Sequence, residues 1–322
     1  MNYAAPWWLP GGHLQTIVAA KVGRRYRLHS PVYQRERWLS PDIDFVDLDW
    51  QHAKSATNPP LLVLFHGLEG SSRSHYAESF ADYASAHALD YVVVHFRGCS
   101  GELNRAPRAY HSGDYEEIDW ILKRLRSSRT GPILAVGISL GGNAVLRWAE
   151  EAGSLARQTV SAVASVCAPI DLAASGTAIG AGFNRQVYTR MFLHSMKPKA
   201  MRKLAQFPGL FNGSAVCAAQ DLYAFDNAFT APVHGFETTD RYWREASAKP
   251  HLHRIRLPAL VINAKNDPFV PAQSLPAGPI KGDWVTLWQP SEGGHVGFPD
   301  GLPPGNLFVL PEAVGDWLLQ NH

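Results

Sequence analysis

Short and almost continuous apolar runs, rich in β-branched residues, recur along the chain and end at Gly, Pro or Asn. They occupy residues 61–67, 91–98, 132–139, 159–169, 259–267 and 284–290. Runs of this length without polar alternation predict strands that are covered on both faces, as in a parallel sheet. Residues 42–50 (DIDFVDLDW) alternate polar and apolar side chains instead, and they predict an antiparallel strand ahead of the others.

Amphipathic segments lie between these runs and predict helices. They occupy residues 74–88, 115–127 and 143–153, and residues 306–320 predict a terminal helix that packs on the sheet. The alternation of strand and helix is typical of an open α/β sheet.

The alternation stops after Ile170. From there to Pro250 no strand-like run occurs, while apolar and aromatic residues follow mixed helical spacing. A stretch of this length far exceeds an ordinary loop. We therefore predict an α/β fold with a mostly parallel sheet flanked by helices. Residues 1–171 and 251–322 would form its core, and residues 172–250 a helical cap inserted between two strands.

Composition and charge agree with a globular chain. Of the 322 residues, 46% are hydrophobic and 18% are charged, which is ample material for a core. The 30 basic and 28 acidic side chains give a net charge of +2 without long runs of one sign. Charge therefore indicates neither nucleic acid nor an anionic membrane as a partner.

Three widely spaced cysteines, Cys99, Cys167 and Cys217, favour a reducing compartment over a disulfide framework. The N-terminus lacks the basic start and the apolar core of a signal peptide. No apolar run approaches the roughly 20 residues that span a bilayer. We expect a soluble cytoplasmic protein, whose oligomeric state the sequence leaves open.

A serine stands between glycines where a predicted strand passes into a predicted helix. Residues 137–141 (Gly-Ile-Ser-Leu-Gly) match the G-x-S-x-G nucleophile elbow, in which a sharp turn exposes the serine hydroxyl. The pattern alone is weak, but its place between a strand and a helix is the one that the motif requires. We interpret Ser139 as a catalytic nucleophile.

A serine hydroxyl needs a base to take its proton and a third group to orient that base. After a nucleophile elbow the chain order is serine, acid, histidine. His295 follows the last predicted strand by a short glycine-containing loop, whereas His322 is the final residue, so His295 is the candidate base. Asp267 directly follows the preceding strand and is the candidate acid. Asp171, at the end of an earlier strand, stays as an alternative acid.

The negative oxygen of a tetrahedral intermediate also needs hydrogen-bond donors. The elbow offers the backbone N–H of Leu140, and the loop after an earlier strand offers that of Leu68. His66 lies too early in the chain to act as a second base, and we expect its ring to hold this loop by hydrogen bonding.

Two other features have structural explanations. Trp7 and Trp8 predict a packing strap that lies on the domain, and a lining of the substrate entrance is the alternative. The acidic DYEE at residues 114–117 and the HLH at residues 251–253 lack a third cluster at metal-site spacing. They predict surface and helix-cap features, and no metal site.

Several longer motifs are more specific than the serine motif. They are PWWLPGGHLQTI (6–17), HGLEGSSRSHY (66–76), FRGCSGELNRAPRAYHSGDYEEI (96–118), GISLGGN (137–143), NAKNDPFVP (263–271) and EGGHVGF (292–298). Together they resemble the YheT-like α/β-hydrolases over nearly the whole chain, least of all in residues 172–250. The chain departs from that family in having His95 where Asn is more common, and it lacks the N-terminal apolar segment of the membrane-anchored relatives.

The resemblance implies the α/β-hydrolase fold and a Ser-Asp-His triad on Ser139, Asp267 and His295. It also implies activity on carboxylic or acylglycerol esters. We therefore expect a serine esterase that forms an acyl-enzyme and needs no cofactor. Its partner would be a small ester, short to medium in chain length or a monoacylglycerol, with an apolar acyl chain held by the aromatic and methionine residues of the cap.

Other functions remain possible from the sequence. The same triad can pass the acyl group to an alcohol, an amine or a thiol, as in an acyltransferase or a thioesterase. A non-catalytic binding protein on a hydrolase scaffold is a further alternative. Epoxide hydrolases and dehalogenases are disfavoured, because their nucleophile is a carboxylate and residue 139 is serine.

Overall fold

The apolar runs form one sheet in the computed structural model, which describes residues 2–54 and 58–322. The eight strands within those residues are β1 (Gln34–Leu39), β2 (Phe45–Gln51), β3 (Leu61–Phe65), β4 (Asp90–Val94), β5 (Ile133–Ile138), β6 (Ala162–Val166), β7 (Ala259–Ile262) and β8 (Val285–Trp288). Their order in the sheet is β1-β2-β4-β3-β5-β6-β7-β8. The pairs β1–β2 and β2–β4 are antiparallel, and the other pairs are parallel. The predicted α/β fold with a mostly parallel sheet is confirmed.

Helices precede the sheet and connect its strands. Those of the first half are α1 (Gly12–Lys21), α2 (His75–Ala86), α3 (Tyr115–Ser127), α4 (Leu140–Ala152) and the short α5 (Ala156–Thr159). Across the described part of the chain, no helix is both long enough and apolar enough to cross a membrane.

Residues 172–250, all of which the structure describes, contain helices and no strand. They are α6 (Leu172–Ile179), α7 (Gly182–Asn184), α8 (Arg190–Gln206), α9 (Gly213–Ala218), α10 (Leu222–Phe225), α11 (Ala231–Val233) and α12 (Thr239–Ala246), with π-helical turns at Arg185–Thr189 and Asp226–Thr230. Several of these helices share an apolar cluster that includes Leu193, Val216 and Phe225. The division into core and cap at the predicted boundaries stays a prediction.

The core lies on both faces of the sheet. Leu61, Val63 and Phe65 of β3 cluster with side chains of α3 and α4, whereas Leu62 and Leu64 cluster with those of α2 and of α13 (Val309–Gln320). All five β3 side chains are fully buried. Because successive strand residues point to opposite faces and both faces are covered, every position of such a strand must be apolar.

The central strands end before the apolar runs that predict them. β4 ends at Val94 and β7 at Ile262, although the runs continue to residues 98 and 267. The next residues, such as Phe96 and Asn263, have left the sheet but are still buried. They form loops at the carboxyl edge of the sheet. In these loops the apolar residues indicate that the backbone is buried, and not that it forms a strand.

Strand β1 was not predicted from the sequence, because it is an edge strand with five of its six residues exposed. Its pairing with β2 is reinforced by cross-strand ion pairs. Arg35 bonds Asp49 and Arg37 bonds Asp47, each with a nitrogen–oxygen distance of 2.7 Å. A strand stabilised in this way carries no alternation of apolar side chains that a sequence pattern could reveal.

The acidic DYEE segment is predicted to supply surface and helix-cap features. Asp114 is the N-cap residue of α3, but the surface prediction is wrong for two of the four residues. Asp114 and Glu117 are buried. Arg108 bonds Asp114 at 2.6 Å, and Arg97 bonds both Glu117 and, at 2.7 Å, Asp44. Burial and the neighbouring Asp114 raise the pKa of Glu117 to about 7, while Arg97 opposes that rise. The segment therefore belongs to an internal ion network.

We predict that Arg97→Met lowers the free energy of unfolding by about 3–5 kcal/mol, because it leaves the buried carboxyl groups of Glu117 and Asp44 without their guanidinium partner. Urea denaturation at pH 7 measures the change. Arg73 is exposed, and its replacement by Met should cost less than about 0.5 kcal/mol. Equal stability of the two variants would contradict the importance of the network.

Candidate active site

Ser139 lies in a tight turn between the end of β5 and the start of α4. Its φ of 52° and ψ of −116° belong to a backbone region that residues other than glycine rarely adopt. The Ser139 N–H donates to the carbonyl of Val166 at 2.8 Å, and the Ser139 carbonyl accepts from Gly142 N–H at 2.9 Å. The turn therefore has the strained geometry that a nucleophile elbow requires.

Close backbone contacts require the two glycines that flank this turn. A Cβ on Gly141 would lie 2.4 Å from the carbonyl oxygen of Phe65 at the end of β3. A Cβ on Gly137 would lie 2.3 Å from the carbonyl oxygen of Gly141. Both distances are far shorter than van der Waals contact, so only glycine allows α4 to begin this close to the strands. The close approach sets the position of Ser139 at the edge of the sheet.

The structure brings the three candidate residues into one chain of hydrogen bonds. Asp267 lies in the loop after β7 and His295 in the loop after β8. His295 Nδ1 lies 2.8 Å from Asp267 Oδ2, and His295 Nε2 lies 3.0 Å from Ser139 Oγ. A neutral imidazole with its proton on Nδ1 donates to the carboxylate and accepts from the hydroxyl. This arrangement can remove the hydroxyl proton when the oxygen attacks.

The carboxylate of Asp267 is oriented by the backbone of its own loop. Its side chain is fully buried, whereas that of His295 is 10% exposed. Asp267 Oδ1 accepts from the N–H groups of Phe269 at 2.7 Å and Val270 at 3.3 Å. The other carboxylate oxygen therefore faces His295, and the Phe269 ring packs against the imidazole at a centroid distance of 4.2 Å.

Asp171, the alternative acid, has a different role in the structure. Its Oδ1 caps helix α6 by accepting from Ala174 N–H at 3.1 Å. Its Oδ2 lies 3.4 Å from Lys249 Nζ. The imidazole of His295 is bonded to Asp267 instead, so the geometry favours Asp267 over Asp171 as the acid.

Leu68 and Leu140, the predicted oxyanion donors, line the same cavity as Ser139 and His295. Leu140 is the first residue of α4, where a backbone N–H has no acceptor within the helix. Among the residues that the structure describes, neither Leu68 N–H nor Leu140 N–H has a hydrogen-bond acceptor. Both amides are therefore available as donors to a developing negative oxygen.

His66 holds the loop that carries Leu68. Its Nε2 accepts from Phe96 N–H at 3.0 Å, and its Nδ1 donates to the Gly67 carbonyl at 2.7 Å. The Tyr76 hydroxyl accepts from Gly67 N–H at 3.0 Å. Burial lowers the pKa of His66 to about 3, so the ring is neutral at pH 7, as these two bonds require. The bonds agree with the structural role predicted for His66.

The cavity beside Ser139 is lined mainly by apolar side chains from the helices of residues 172–250. These side chains are Leu172, Ile179, Phe192, Met196, Leu222, Phe225, Phe229 and Trp243. The loop after β7 adds Phe269 and Val270. Such a wall favours a hydrocarbon chain over a charged group.

The helices of residues 172–250 contribute three charged residues to this wall, Lys199, Lys203 and Asp226, and all three bond protein groups. Lys199 Nζ donates to Glu69 Oε1 at 2.7 Å. Lys203 donates to the carbonyl groups of Asn104 and Ala106, both at 2.7 Å, and burial lowers its pKa to about 8. Asp226 accepts from the Trp243 indole N–H at 2.8 Å, and burial raises its pKa to about 6. These three groups serve to anchor parts of the wall to one another or to the neighbouring loops.

Cys167 lies next to Asp267 and His295. Its sulfur, a carboxylate oxygen of Asp267 and a ring nitrogen of His295 all lie within 4.8 Å of one another. Its sulfur accepts from Val296 N–H at 3.3 Å. Burial, followed by the nearby Asp267, raises the pKa of the thiol well above its ordinary value. The two nitrogens of His295 bond Asp267 and Ser139, so these three side chains are arranged for proton transfer.

The sequence patterns did not identify two buried polar residues that contact the site, Gln15 and Thr16. Thr16 Oγ1 accepts from His295 N–H at 2.8 Å, and Gln15 Oε1 accepts from Gly293 N–H at 2.9 Å. The HLQT motif was the only signal for them, since such bonds have no periodicity. The strap predicted around Trp7 and Trp8 is wrong for Trp7, whose side chain is 86% exposed.

The chain is similar to known hydrolases. The family model described as alpha/beta hydrolase fold matches residues 60–302. YheT of Escherichia coli (strain K12), a protein named as an esterase, is 40% identical over 311 residues, which cover 95% of this chain and 89% of YheT. Phospholipase ABHD3 of Homo sapiens is 26% identical over 312 residues, which cover 94% of this chain and 75% of that protein.

Solved esterase structures share the architecture. Est1E from Butyrivibrio proteoclasticus with ferulic acid bound has a TM-score of 0.57 and 14% identity, covering 90% of this chain and 99% of Est1E. The Pyrococcus furiosus esterase Pf2001 has a TM-score of 0.53 and 16% identity, covering 92% of this chain and 98% of Pf2001. At such identities the likeness shows the fold alone. The resemblance that the sequence motifs indicate is confirmed by the match to the alpha/beta hydrolase fold model and by the similarity to YheT.

We predict that Gly141→Ala destabilises the protein by about 1–3 kcal/mol or more, because the added methyl group meets backbone atoms that cannot move without displacing β3. The matched control is Gly278→Ala, since a Cβ there meets nothing within 4 Å. Urea denaturation of both variants measures the difference. A wild-type midpoint for Gly141→Ala would show that the close approach at the turn is not required.

Proposed function

The chain belongs to the α/β-hydrolase family, and we propose that it is a serine hydrolase that cleaves carboxylic esters. One observation carries the proposal. The hydroxyl of Ser139, the imidazole of His295 and the carboxylate of Asp267 form a continuous chain of hydrogen bonds beside an apolar cavity. Such a chain activates a hydroxyl for attack on a carbonyl carbon.

In the acylation step, Ser139 Oγ attacks the carbonyl carbon of the ester while its proton moves to His295 Nε2. Asp267 holds the Nδ1–H side of the ring and stabilises the imidazolium that forms. The carbonyl oxygen becomes negative and is stabilised by the N–H groups of Leu68 and Leu140. Each donor of this kind typically contributes about 3 kcal/mol of transition-state stabilisation.

The tetrahedral intermediate then collapses. The bond between the carbonyl carbon and the alcohol oxygen breaks, and His295 gives its proton to the departing alcohol. Water attacks the acyl-enzyme on Ser139 with His295 again accepting a proton. In a second collapse the bond between the acyl carbon and Ser139 Oγ breaks, His295 returns its proton to that oxygen, and the carboxylic acid is released. These steps use only side chains and backbone amides of this chain, so we propose that no cofactor takes part.

The character of the cavity supports a neutral, apolar substrate. Its wall is formed mainly by Leu, Ile, Met and aromatic side chains of residues 172–250. The charged residues from the same helices, Lys199, Lys203 and Asp226, are bonded to protein groups. We propose that these helices act as a cap that holds the acyl chain. Short- to medium-chain esters or monoacylglycerols are then the substrates.

The relatives support ester chemistry at a coarser level. YheT is named as an esterase and ABHD3 as a phospholipase, and both names imply cleavage of an ester. The predicted cytoplasmic location stays a prediction, supported by three cysteines that are all described and all unpaired.

An acyltransferase or a thioesterase would use the same residues. Adding short alcohols or amines to the assay separates an acyltransferase from a hydrolase, because a transferase would divert most of the acyl groups to the added acceptor. Comparing a thioester with the matching oxygen ester separates a thioesterase from a carboxylesterase. A non-catalytic protein would show no turnover of any ester.

We predict that a fluorophosphonate probe labels Ser139 and that the label is lost in Ser139→Ala and His295→Ala. The probe reacts only with a serine whose proton can be removed. Mass spectrometry of the labelled peptide locates the adduct. Labelling of another residue, or none in folded wild-type protein, would refute the proposed mechanism.

We predict that Asp267→Asn lowers kcat by about 10⁴-fold, because an amide no longer favours the imidazole tautomer with its proton on Nδ1. Asp171→Asn is the matched control, since that carboxylate caps α6 and bonds Lys249. It should keep kcat within about threefold of the wild-type value. A reversal of the two effects would assign the acid to Asp171.

We predict that Met196→Trp shifts the preferred acyl chain to a shorter length, because Met196 lines the cavity. For the longest ester that the wild type accepts, kcat/KM should fall about tenfold or more, while acetyl esters remain substrates. Ser195 is the exposed neighbour on α8, and Ser195→Trp is the control that should keep the wild-type profile. Identical chain-length profiles of all three proteins would exclude the cavity as the acyl site.

A further inference from the structure

Thr16 connects helix α1 to the loop that carries His295. Its hydroxyl donates to the carbonyl of Gly12 at 2.7 Å, one turn earlier in the same helix. The same oxygen accepts from the backbone N–H of His295 at 2.8 Å. Thr16 is buried, and its hydroxyl therefore fixes the backbone of His295 relative to α1.

Gln15 connects the same helix to both loops of the site. Its Oε1 accepts from Gly293 N–H and from Asn266 Nδ2, each at 2.9 Å. Gly293 lies two residues before His295, and Asn266 directly precedes Asp267. Gln15 is fully buried, and its Nε2 donates to the Leu9 carbonyl at 3.0 Å. One amide oxygen thus joins the loop of the acid to the loop of the base.

The loops meet at a third point as well. Asn266 Oδ1 accepts from Gly294 N–H at 2.9 Å. The backbone of α1 packs tightly on both loops, because a Cβ on Gly12 would lie 1.8 Å from the Asn266 carbonyl oxygen and a Cβ on Gly297 would lie 2.5 Å from the Gln15 carbonyl oxygen. Helix α1 is thus fitted closely to the two loops.

We propose that Gln15 and Thr16 are positioning residues that set the distance between Asp267, His295 and Ser139, and that α1 acts as a clamp on the two loops. The proposal rests on the esterase mechanism proposed above. Gln15 and Thr16 do not line the cavity among its described residues, so their effect on a substrate passes through His295 and Asp267.

The loop of His295 needs such a clamp. Gly293 and Gly294 directly precede His295, with φ values of 145° and 61°, and glycine leaves a backbone free to adopt several conformations. Reacting groups must be held near their productive geometry, and a displacement of about 1 Å can lower a rate about 100-fold. The bonds to Gln15 and Thr16 restrict the backbone at the point where displacement would move the imidazole.

The test uses the full chain and three substitutions. Thr16→Val keeps the shape of the side chain but removes the acceptor for His295 N–H, and Gln15→Met removes the acceptor for both loops. Thr16→Ser keeps the hydroxyl. Each protein is titrated to completion with a fluorophosphonate probe, so that kcat and KM for a neutral ester are expressed per active site and an unfolded fraction is not counted.

We expect Thr16→Val and Gln15→Met to lower kcat about 10- to 100-fold with KM within about twofold of the wild-type value. Thr16→Ser should recover kcat to within about threefold of wild type, because its hydroxyl can make both bonds. The matched control is Thr177→Val. Thr177 Oγ1 also donates to the carbonyl four residues earlier, that of Ala173, but it is exposed and bonds neither loop.

A wild-type kcat per active site in both Thr16→Val and Gln15→Met would overturn the proposal, and so would a Thr16→Ser variant as impaired as Thr16→Val. If Thr16→Val is recovered unfolded, Thr16→Ala takes its place with the same expected result. Failure of the esterase mechanism itself gives a different outcome, because the wild-type protein would then show neither turnover nor labelling at Ser139.

Discussion

The close approach of α4 to the ends of β3 and β5 is the constraint on which the site depends. Gly137 and Gly141 let the helix backbone touch the strands, and the resulting turn holds Ser139 at a φ of 52°. Backbone strain of this kind persists only where the surrounding packing over-determines it. Buried strands on both sides supply that packing. The parallel order from β6 to β8 then brings the loops after β7 and β8 to the same edge, beside the hydroxyl.

The central sheet could be predicted from the sequence because a strand covered on both faces must be apolar at every position. The same reason explains what could not be predicted. Strand β1 is exposed and is stabilised by Arg35 and Arg37 through ion pairs with the next strand, and no apolar pattern accompanies such pairs. Asp114 and Glu117 look like surface residues in the sequence, because no sequence pattern reveals that Arg108 and Arg97 pair with them inside the protein.

The residues of the candidate site divide in the same way. Ser139, Asp267 and His295 could be predicted because each combines a reactive side chain with a place just after a strand, in the chain order that an elbow requires. Gln15 and Thr16 act through bonds to backbone N–H groups almost 280 residues away, and such bonds impose no spacing on the sequence. The catalytic roles themselves are chemical interpretations of a geometry that the structure makes visible.

The cavity wall and the hydrogen-bonded residues come from different stretches of the chain. Helices between β6 and β7 contribute most of the apolar wall, whereas Ser139, Asp267 and His295 stand at the ends of strands. Under the proposed mechanism, we expect substitutions in the helices between β6 and β7 to leave the hydrogen bonds among these three residues in place. In evolutionary terms, substitutions in the helices between β6 and β7 can change which compounds such a chain accepts. Two descendants can then keep the same chemistry while they act on different molecules.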